Sequence, residues 1–406
     1  MPPLKVAIIG AGPAGCLLAR LLHLNAVSVT IFEAEPSLDA RSQGGTLDLH
    51  TKTGIAALKA ANLYDEFLKH ARFDGSALTV CDKKAQPYFQ LPRVFASNPE
   101  IDRLELRLLL LRSIPEDMVR WNHRLERVDE NGDLHFAHGI EKGYDLIVGA
   151  DGSWSRVRGS LTATKPEYSG ISGFNFSIPN ALEKAPRVYE LVNRGSIFGY
   201  SDGKAIMGQQ MGDGSIRASA YGRHDELWAN EMRAKQPSRE EICRDYEDWA
   251  PELREFVHLT EGDMRIYAFY MLPVGMKWET RRGVTLLGDA AHLMTPFAGE
   301  GVNIASEDAM KLAEAIISTK DQDRERQLES VAVYEKEMFD RAANAQALTK
   351  KLMDLMFFTE GAPRTSIQHW VATRAVYDCN PAIKPLVYPF IAAGIFSFYS
   401  VFKLFV

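Results

Sequence analysis

A short apolar run, Lys5–Ile9, ends in Gly10-Ala11-Gly12-Pro13-Ala14-Gly15 and passes into a helical pattern over Gly15–Leu24 and a second apolar run, Val27–Glu33. Strand, glycine turn, helix and strand make a βαβ opening, which commits the chain to an α/β architecture around a parallel sheet. The three glycines do different things. Gly10 permits the tight turn, Gly12 lets a pyrophosphate approach the backbone, and Gly15 lets the helix pack closely on the sheet. The helix N-terminus then offers N–H groups and partial positive charge to phosphate. Glu33 closes the second strand, about twenty residues on, where an acid accepts hydrogen bonds from ribose hydroxyls. These features together identify a dinucleotide site and leave NAD and FAD equally open.

Two later strand-plus-glycine units repeat the theme. In Tyr144–Arg158 an apolar strand ends in Asp151-Gly152, followed by Ser155 and Arg158. An Asp that merely caps a helix explains this segment as well as a ligand site does. In Gly283–Asn303 a buried strand ends in Gly288-Asp289-Ala-Ala-His292 and continues through Pro296-Phe297-Ala-Gly299-Glu300-Gly301-Val302-Asn303. Asp289 is placed to hold a sugar-like hydroxyl. The loop N–H groups and the helix behind them suit negative charge on a ring.

The chain has 406 residues, enough for two joined domains, and a net charge of −6, which argues against a nucleic-acid partner. Cys16, Cys81, Cys243 and Cys379 form no CxxC pair, so neither a metal centre nor a disulfide framework is expected, and the cytoplasm is the expected compartment. Val6–Ile9 is too short for a secretory signal and reads as part of the fold. From Ser177 to about Met264, short interrupted runs with glycines suggest an antiparallel sheet to which residues 74–98 contribute. Helical periodicity follows Asn303, and a long helix is expected over Arg326–Met356.

The three motifs together resemble the FAD-dependent aromatic hydroxylases of the PHBH-like fold, over about residues 4–320. The resemblance implies a Rossmann-like FAD-binding domain (1–73, 99–175 and 265–325) interrupted by an α+β substrate domain (74–98 and 176–264), then a bridging helix (326–360) and a helical tail (361–406). It implies that Glu33 holds the adenosine ribose, Arg103 the FAD phosphate and ribityl region, and Asp289 the ribityl chain. Pro296, Gly299, Gly301, Val302 and Asn303 would lie against the isoalloxazine, and Asp151 would serve both FAD and a passing NADPH or NADH. Flavin-side segments around Gly45, Asp48 and Arg103 are similar to those of the tetracycline-inactivating flavin monooxygenases. Where those enzymes place substrate-contacting Arg and His, this chain has Ser196 and Arg217, while Phe297 beside the flavin is retained. Glu300 replaces the common glutamine, and Ala34 the arginine that often follows the ribose-binding acid.

The activity so implied is a monooxygenase that uses reduced nicotinamide and O2 on a small organic molecule, polycyclic aromatic or polyketide-like, in secondary metabolism or antibiotic inactivation. No metal is needed. Arg217 or Tyr221 is the candidate side-chain base, and the chain is expected to be monomeric. Rival readings are a non-oxygenating flavin reductase or dehydrogenase and a non-enzymatic flavin-binding protein. The stretch 385–406, with Lys403 its one charged side chain, reads either as a covering helix or as a membrane attachment.

Overall fold

Alternation of short buried strands with helical crossovers builds a five-stranded parallel sheet in the computed structural model. Its strands stand in the order Val284–Leu286, Leu146–Gly149, Lys5–Ile9, Ser28–Phe32, Val119–Arg120, and each neighbouring pair runs parallel. The residues described are 3–40, 44–73, 75, 77–92, 98–377, 379 and 383–406. A parallel sheet must be covered on both faces, and Val6–Ile9 of the central strand are all buried. The first helix, Pro13–Leu24, buries Cys16, Leu17, Leu18, Leu21 and Leu22 and packs on the helix Gly301–Thr319. It begins two residues before the expected Gly15 because proline's fixed φ suits the first helical turn. A small antiparallel sheet (Leu125–Val128, Leu134–Phe136, Gly139–Glu141), unforeseen from the sequence, completes this layer.

These elements belong to one compact unit, Met1–Ala71, Ile101–Glu167 and Tyr270–Ala347. The long helix Arg324–Met353 braces its sheet edge through a buried carboxylate. Glu335 accepts hydrogen bonds from Trp278 Nε1 (3.0 Å), Thr280 Oγ1 (2.5 Å) and Thr285 Oγ1 (2.8 Å), while the Tyr334 hydroxyl donates to the Leu286 carbonyl (3.0 Å).

The second unit, Arg72–Glu100, Tyr168–Phe269 and Leu348–Val406, is built on a seven-stranded sheet. The order is Glu261–Met271, Glu167–Ile178, Ile216–Arg223, Lys204–Gln210, Ser196–Ser201, Leu78–Cys81, Pro87–Leu91. From Glu167–Ile178 to Pro87–Leu91 the pairings are antiparallel except for Ser196–Ser201 on Leu78–Cys81. The strands Leu78–Cys81 and Pro87–Leu91 thus join the second sheet, while 74, 76 and 93–97 of the expected 74–98 contribution lie outside the described residues. Phe174, Phe176, Ile216, Ala218 and Ala220 alternate onto a core shared with Val188, Ile242, Leu253 and Phe256 of short helices. A Cβ on Gly208 would stand 2.0 Å from the Phe256 ring, so the missing side chain lets that ring lie on the sheet. Those helices, Pro186–Val192, Arg239–Arg244 and Pro251–His258, have too few turns to show a period in the sequence.

Glu335→Ala would leave buried donors unsatisfied, and we expect a loss of roughly 3 kcal/mol in unfolding free energy, read as a lower urea midpoint.

Candidate functional site

In the glycine turn the three expected roles separate cleanly. Gly10 has φ 106°, and a Cβ there would stand 2.4 Å from the Ala150 carbonyl oxygen. At Gly15 a Cβ would meet the Gly10 carbonyl oxygen at 2.2 Å. Around Gly12, by contrast, nothing lies within 4 Å of such a Cβ, and the helix it opens has no side-chain cap. Open space before uncapped N–H groups suits an anion. Glu33 is buried against the same turn, its carboxylate accepting from the N–H groups of Ala11 (2.6 Å) and Glu35 (2.9 Å).

The second motif meets the first at Gly10, 3.1 Å from the Asp151 Cα by the same measure. The Asp151 carboxylate accepts from Ser155 Oγ (2.5 Å) and from the N–H groups of Arg156 (2.7 Å) and Val157 (3.3 Å). The side chain therefore closes the turn 151–157, and the short 3-10 turn Arg158–Ser160 that follows has Val157 at its start and no side-chain cap, so the plain reading of a helix cap does not hold. Burial pushes its pKa up and these hydrogen bonds pull it back. Arg158 carries the link onward, donating to the carbonyl oxygens of Ser153 (2.8 Å) and Ala290 (3.0 Å). Its reach into the third motif was not legible from spacing.

In that third motif Gly288 takes φ 59° and delivers Asp289 to the end of the strand Val284–Leu286. The Asp289 carboxylate is solvent-reachable yet ringed by protein, which pushes its pKa up, while His292 and Arg103 pull it down. Among the described residues it takes no hydrogen bond. Behind it, buried His292 bonds through Nε2 to Asp308 Oδ2 (2.5 Å). Asp308 also accepts from the Gly288 N–H (3.1 Å) and from Arg341 Nη2 (3.1 Å). Burial alone would lower the His292 pKa, but Asp308 holds it above the usual range.

The loop at 299–303 is tied to the segment 46–54. Buried Asn303 accepts through Oδ1 from the His50 N–H (2.8 Å) and Thr53 Oγ1 (3.2 Å), and donates through Nδ2 to the Asp48 carbonyl (2.9 Å). Glu300 faces His50 Nδ1 at 3.6 Å. Arg103 opens the helix Arg103–Arg112, its N–H donating to the Gly45 carbonyl (2.9 Å), with Gly44 packed on its Cβ. Gly45, Asp48, Arg103, Asn303 and Gly299 are thereby gathered, and Pro296, Phe297, Gly301 and Val302 remain partly or fully exposed alongside.

On the second unit, the sheet face opposite its core carries a separate polar cluster. The Asn175 amide, oriented to satisfy its neighbours, accepts from Arg217 Nη2 (3.0 Å) and turns its nitrogen to Tyr221 Oη (2.5 Å) and Ser219 Oγ (2.7 Å). Burial raises the Tyr221 pKa. Tyr267 behaves oppositely: burial opposes ionisation, but Arg217 and Arg265 outweigh it and lower its pKa. Alternation of Arg265, Tyr267 and Phe269 along one strand was the signal that could have found it.

The family model described as "FAD binding domain" matches residues 3–349. The chain belongs to this FAD-binding family. It is 30% identical to the monooxygenase penA of Penicillium thymicola over 88% of this chain and 96% of that protein. It is 27% identical to the 3-amino-4-hydroxybenzoate 2-monooxygenase of Streptomyces cremeus over 88% and 89%. Its fold is that of the tetracycline destructase Tet(51), with TM-score 0.68, 20% identity and 93% and 98% coverage. The protein is an FAD-dependent monooxygenase of the PHBH-like fold, as the motifs implied.

The first unit fits FAD on its own geometry: space at Gly12, uncapped helix N–H groups, and a carboxylate at Asp289 without a donor among the described residues. Paired burial of His292 and Asp308 has a pH signature. The raised His292 pKa contributes stability below its unfolded value of 6.5 that is lost as pH rises through the folded value. The lowered Asp308 pKa contributes above 3.8 and is lost as pH falls through its folded value. We expect His292→Gln to destabilise the flavoprotein most between these limits, with the gap to wild type narrowing at alkaline pH in thermal melts.

Proposed function

We propose that this monooxygenase oxygenates a phenolic or enolic, polycyclic aromatic or polyketide-like compound, with NADPH or NADH as transient reductant. The observation that carries the substrate reading is Tyr267, a tyrosine held toward its ionised form by two guanidinium groups. On ionising, which Arg217 and Arg265 make easier than in a free tyrosine, that side chain can take a proton from an acidic hydroxyl, making the substrate ring electron-rich. Arg217 then steadies the resulting anion, and Tyr221, with its raised pKa, stays protonated as a donor. The Streptomyces relative, named for a hydroxybenzoate substrate, and the tetracycline destructase fold support this class.

For the cofactor, the N-terminus of Pro13–Leu24 holds the pyrophosphate, Glu33 the ribose, Arg103 the phosphate and ribityl region, and Asp289 the ribityl chain. Gly45, Asp48, Pro296, Gly299, Gly301, Val302 and Asn303 line the ring. The N-terminal end of the helix Gly301–Thr319, which the loop at 299–303 opens, would favour negative charge on the ring. Asp151 fixes the loop between cofactor and nicotinamide, and Phe297 meets substrate. The chemistry FAD supplies when bound is hydride acceptance from the nicotinamide and transfer of one dioxygen oxygen atom to the substrate, the other leaving as water. We place the enzyme in the cytoplasm, where its free cysteines would stay reduced, as a monomer attached to a membrane through residues 385–406.

Asp289→Ala is expected to fold but to purify colourless; full FAD content would refute the assignment. Tyr267→Phe should lower kcat about 100-fold on a phenolic substrate and abolish the rise in rate as pH passes the lowered tyrosine pKa. Screening such compounds for stimulated NADPH oxidation and a product heavier by one oxygen atom tests the whole reading. NADPH oxidation without oxygen incorporation would favour the reductase.

A further inference from the structure

We infer that the helix Lys384–Phe402 docks this protein on an anionic lipid surface, lying in the membrane plane rather than crossing it. The inference rests on the membrane attachment proposed above and supplies its geometry and its lipid. Leu386, Phe390, Ala393, Ser397, Val401 and Leu404 recur every three or four residues and are all exposed, so they form one stripe along the helix. Phe390 and Leu404 are each 80% exposed. A soluble protein rarely leaves so long an apolar stripe, broken here by Ser397, uncovered. The helix is not a buried one, since Tyr399 alone among its residues is enclosed.

The opposite side is fastened to the second unit. The Tyr399 hydroxyl donates to the Tyr88 carbonyl (2.8 Å), Arg364 Nη2 to the Lys403 carbonyl (2.7 Å) and Lys403 Nζ to Gln368 Oε1 (2.6 Å). Phe396 packs edge-on against His369, with ring centroids 4.7 Å apart. At 19 residues the helix is about 28 Å long, enough to span the hydrocarbon layer. Spanning, however, would break every one of these ties and draw a lysine-bearing end through the bilayer. Lying flat keeps the ties and buries only the stripe, as interfacial helices do.

The charges name the lipid. Residues 361–406 hold four basic side chains and one acidic, in a chain whose net charge is −6. They gather in pairs at the two ends of the stripe. Arg374 and Lys384 both lie over the Tyr377 ring, at 5.5 and 5.8 Å, and Arg364 and Lys403 meet at the other end. Cations flanking an apolar strip match phosphates above acyl chains, and anionic headgroups most of all.

The test uses full-length FAD-loaded protein, sedimented with vesicles of phosphatidylcholine and phosphatidylserine at about 3:1 and with vesicles of phosphatidylcholine alone. Wild type should pellet with the anionic vesicles and less with the neutral ones. Phe390→Asp with Leu404→Asp should lower partitioning at least about tenfold with FAD content unchanged. Arg374→Gln with Lys384→Gln should weaken binding to the anionic vesicles selectively. Wild type left in the supernatant, or a double-aspartate variant that still pellets, would overturn the inference. So would resistance to alkaline carbonate extraction, the mark of a crossing helix. A wild-type dimer made monomeric by the aspartates, without vesicle binding, would assign the stripe to a second copy instead. Loss of yellow flavin from every form would count against the flavin reading, and the vesicle result would stand apart from it.

Discussion

Backbone packed directly on backbone at Gly10 is the contact on which the cofactor unit depends. The Gly10 N–H donates to the Phe32 carbonyl (2.8 Å), fixing the turn to the second strand. The Ala150 carbonyl stands where a Cβ would be, fixing it to the strand on the other side. The Leu287 N–H in turn donates to the Gly149 carbonyl (3.0 Å). Three strands far apart in sequence therefore end at one level, and the loops that leave them open at one edge. In a parallel α/β sheet that carboxyl edge is where ligands bind. A side chain at Gly10 would push two strands apart and separate the loops with them.

Much of this could be read before the structure, because the signals were local. Strand, glycine turn and helix follow from a few adjacent residues whose φ values and packing allow little choice. The antiparallel second sheet was likewise visible in its short interrupted runs. What stayed hidden was set by tertiary contact: nothing near His292 announces Asp308 or Arg341, and nothing near Thr285 announces Glu335. Asp151 is instructive. It caps no helix, contrary to its plain reading; its carboxylate closes the turn that follows the strand and holds that loop in shape.

Several buried charges among the described residues are met by neutral hydrogen-bond partners, as at Glu335 and Arg158, and at Asp308 by opposite charge as well. Asp308 is fully enclosed and answers to His292, Arg341 and the Gly288 N–H. Removing any one partner leaves the others uncompensated. The network pins the Gly288 turn from behind, so the direction in which Asp289 points is set by charges that never reach the cofactor side. Asn303 does the same for the neighbouring loop with a single amide.

The carboxylates of this unit differ in what they have left to give. Glu33 already accepts two N–H donors, and Asp151 and Asp308 are each committed to three partners or more. Asp289 has none among the described residues, although protein encloses it closely enough to raise its pKa. Protein around this solvent-reachable acid makes its charge harder to hold, and no described residue answers it with a hydrogen bond. In the proposed assignment to the ribityl chain, two hydroxyl donors would supply the hydrogen bonds that the described residues do not.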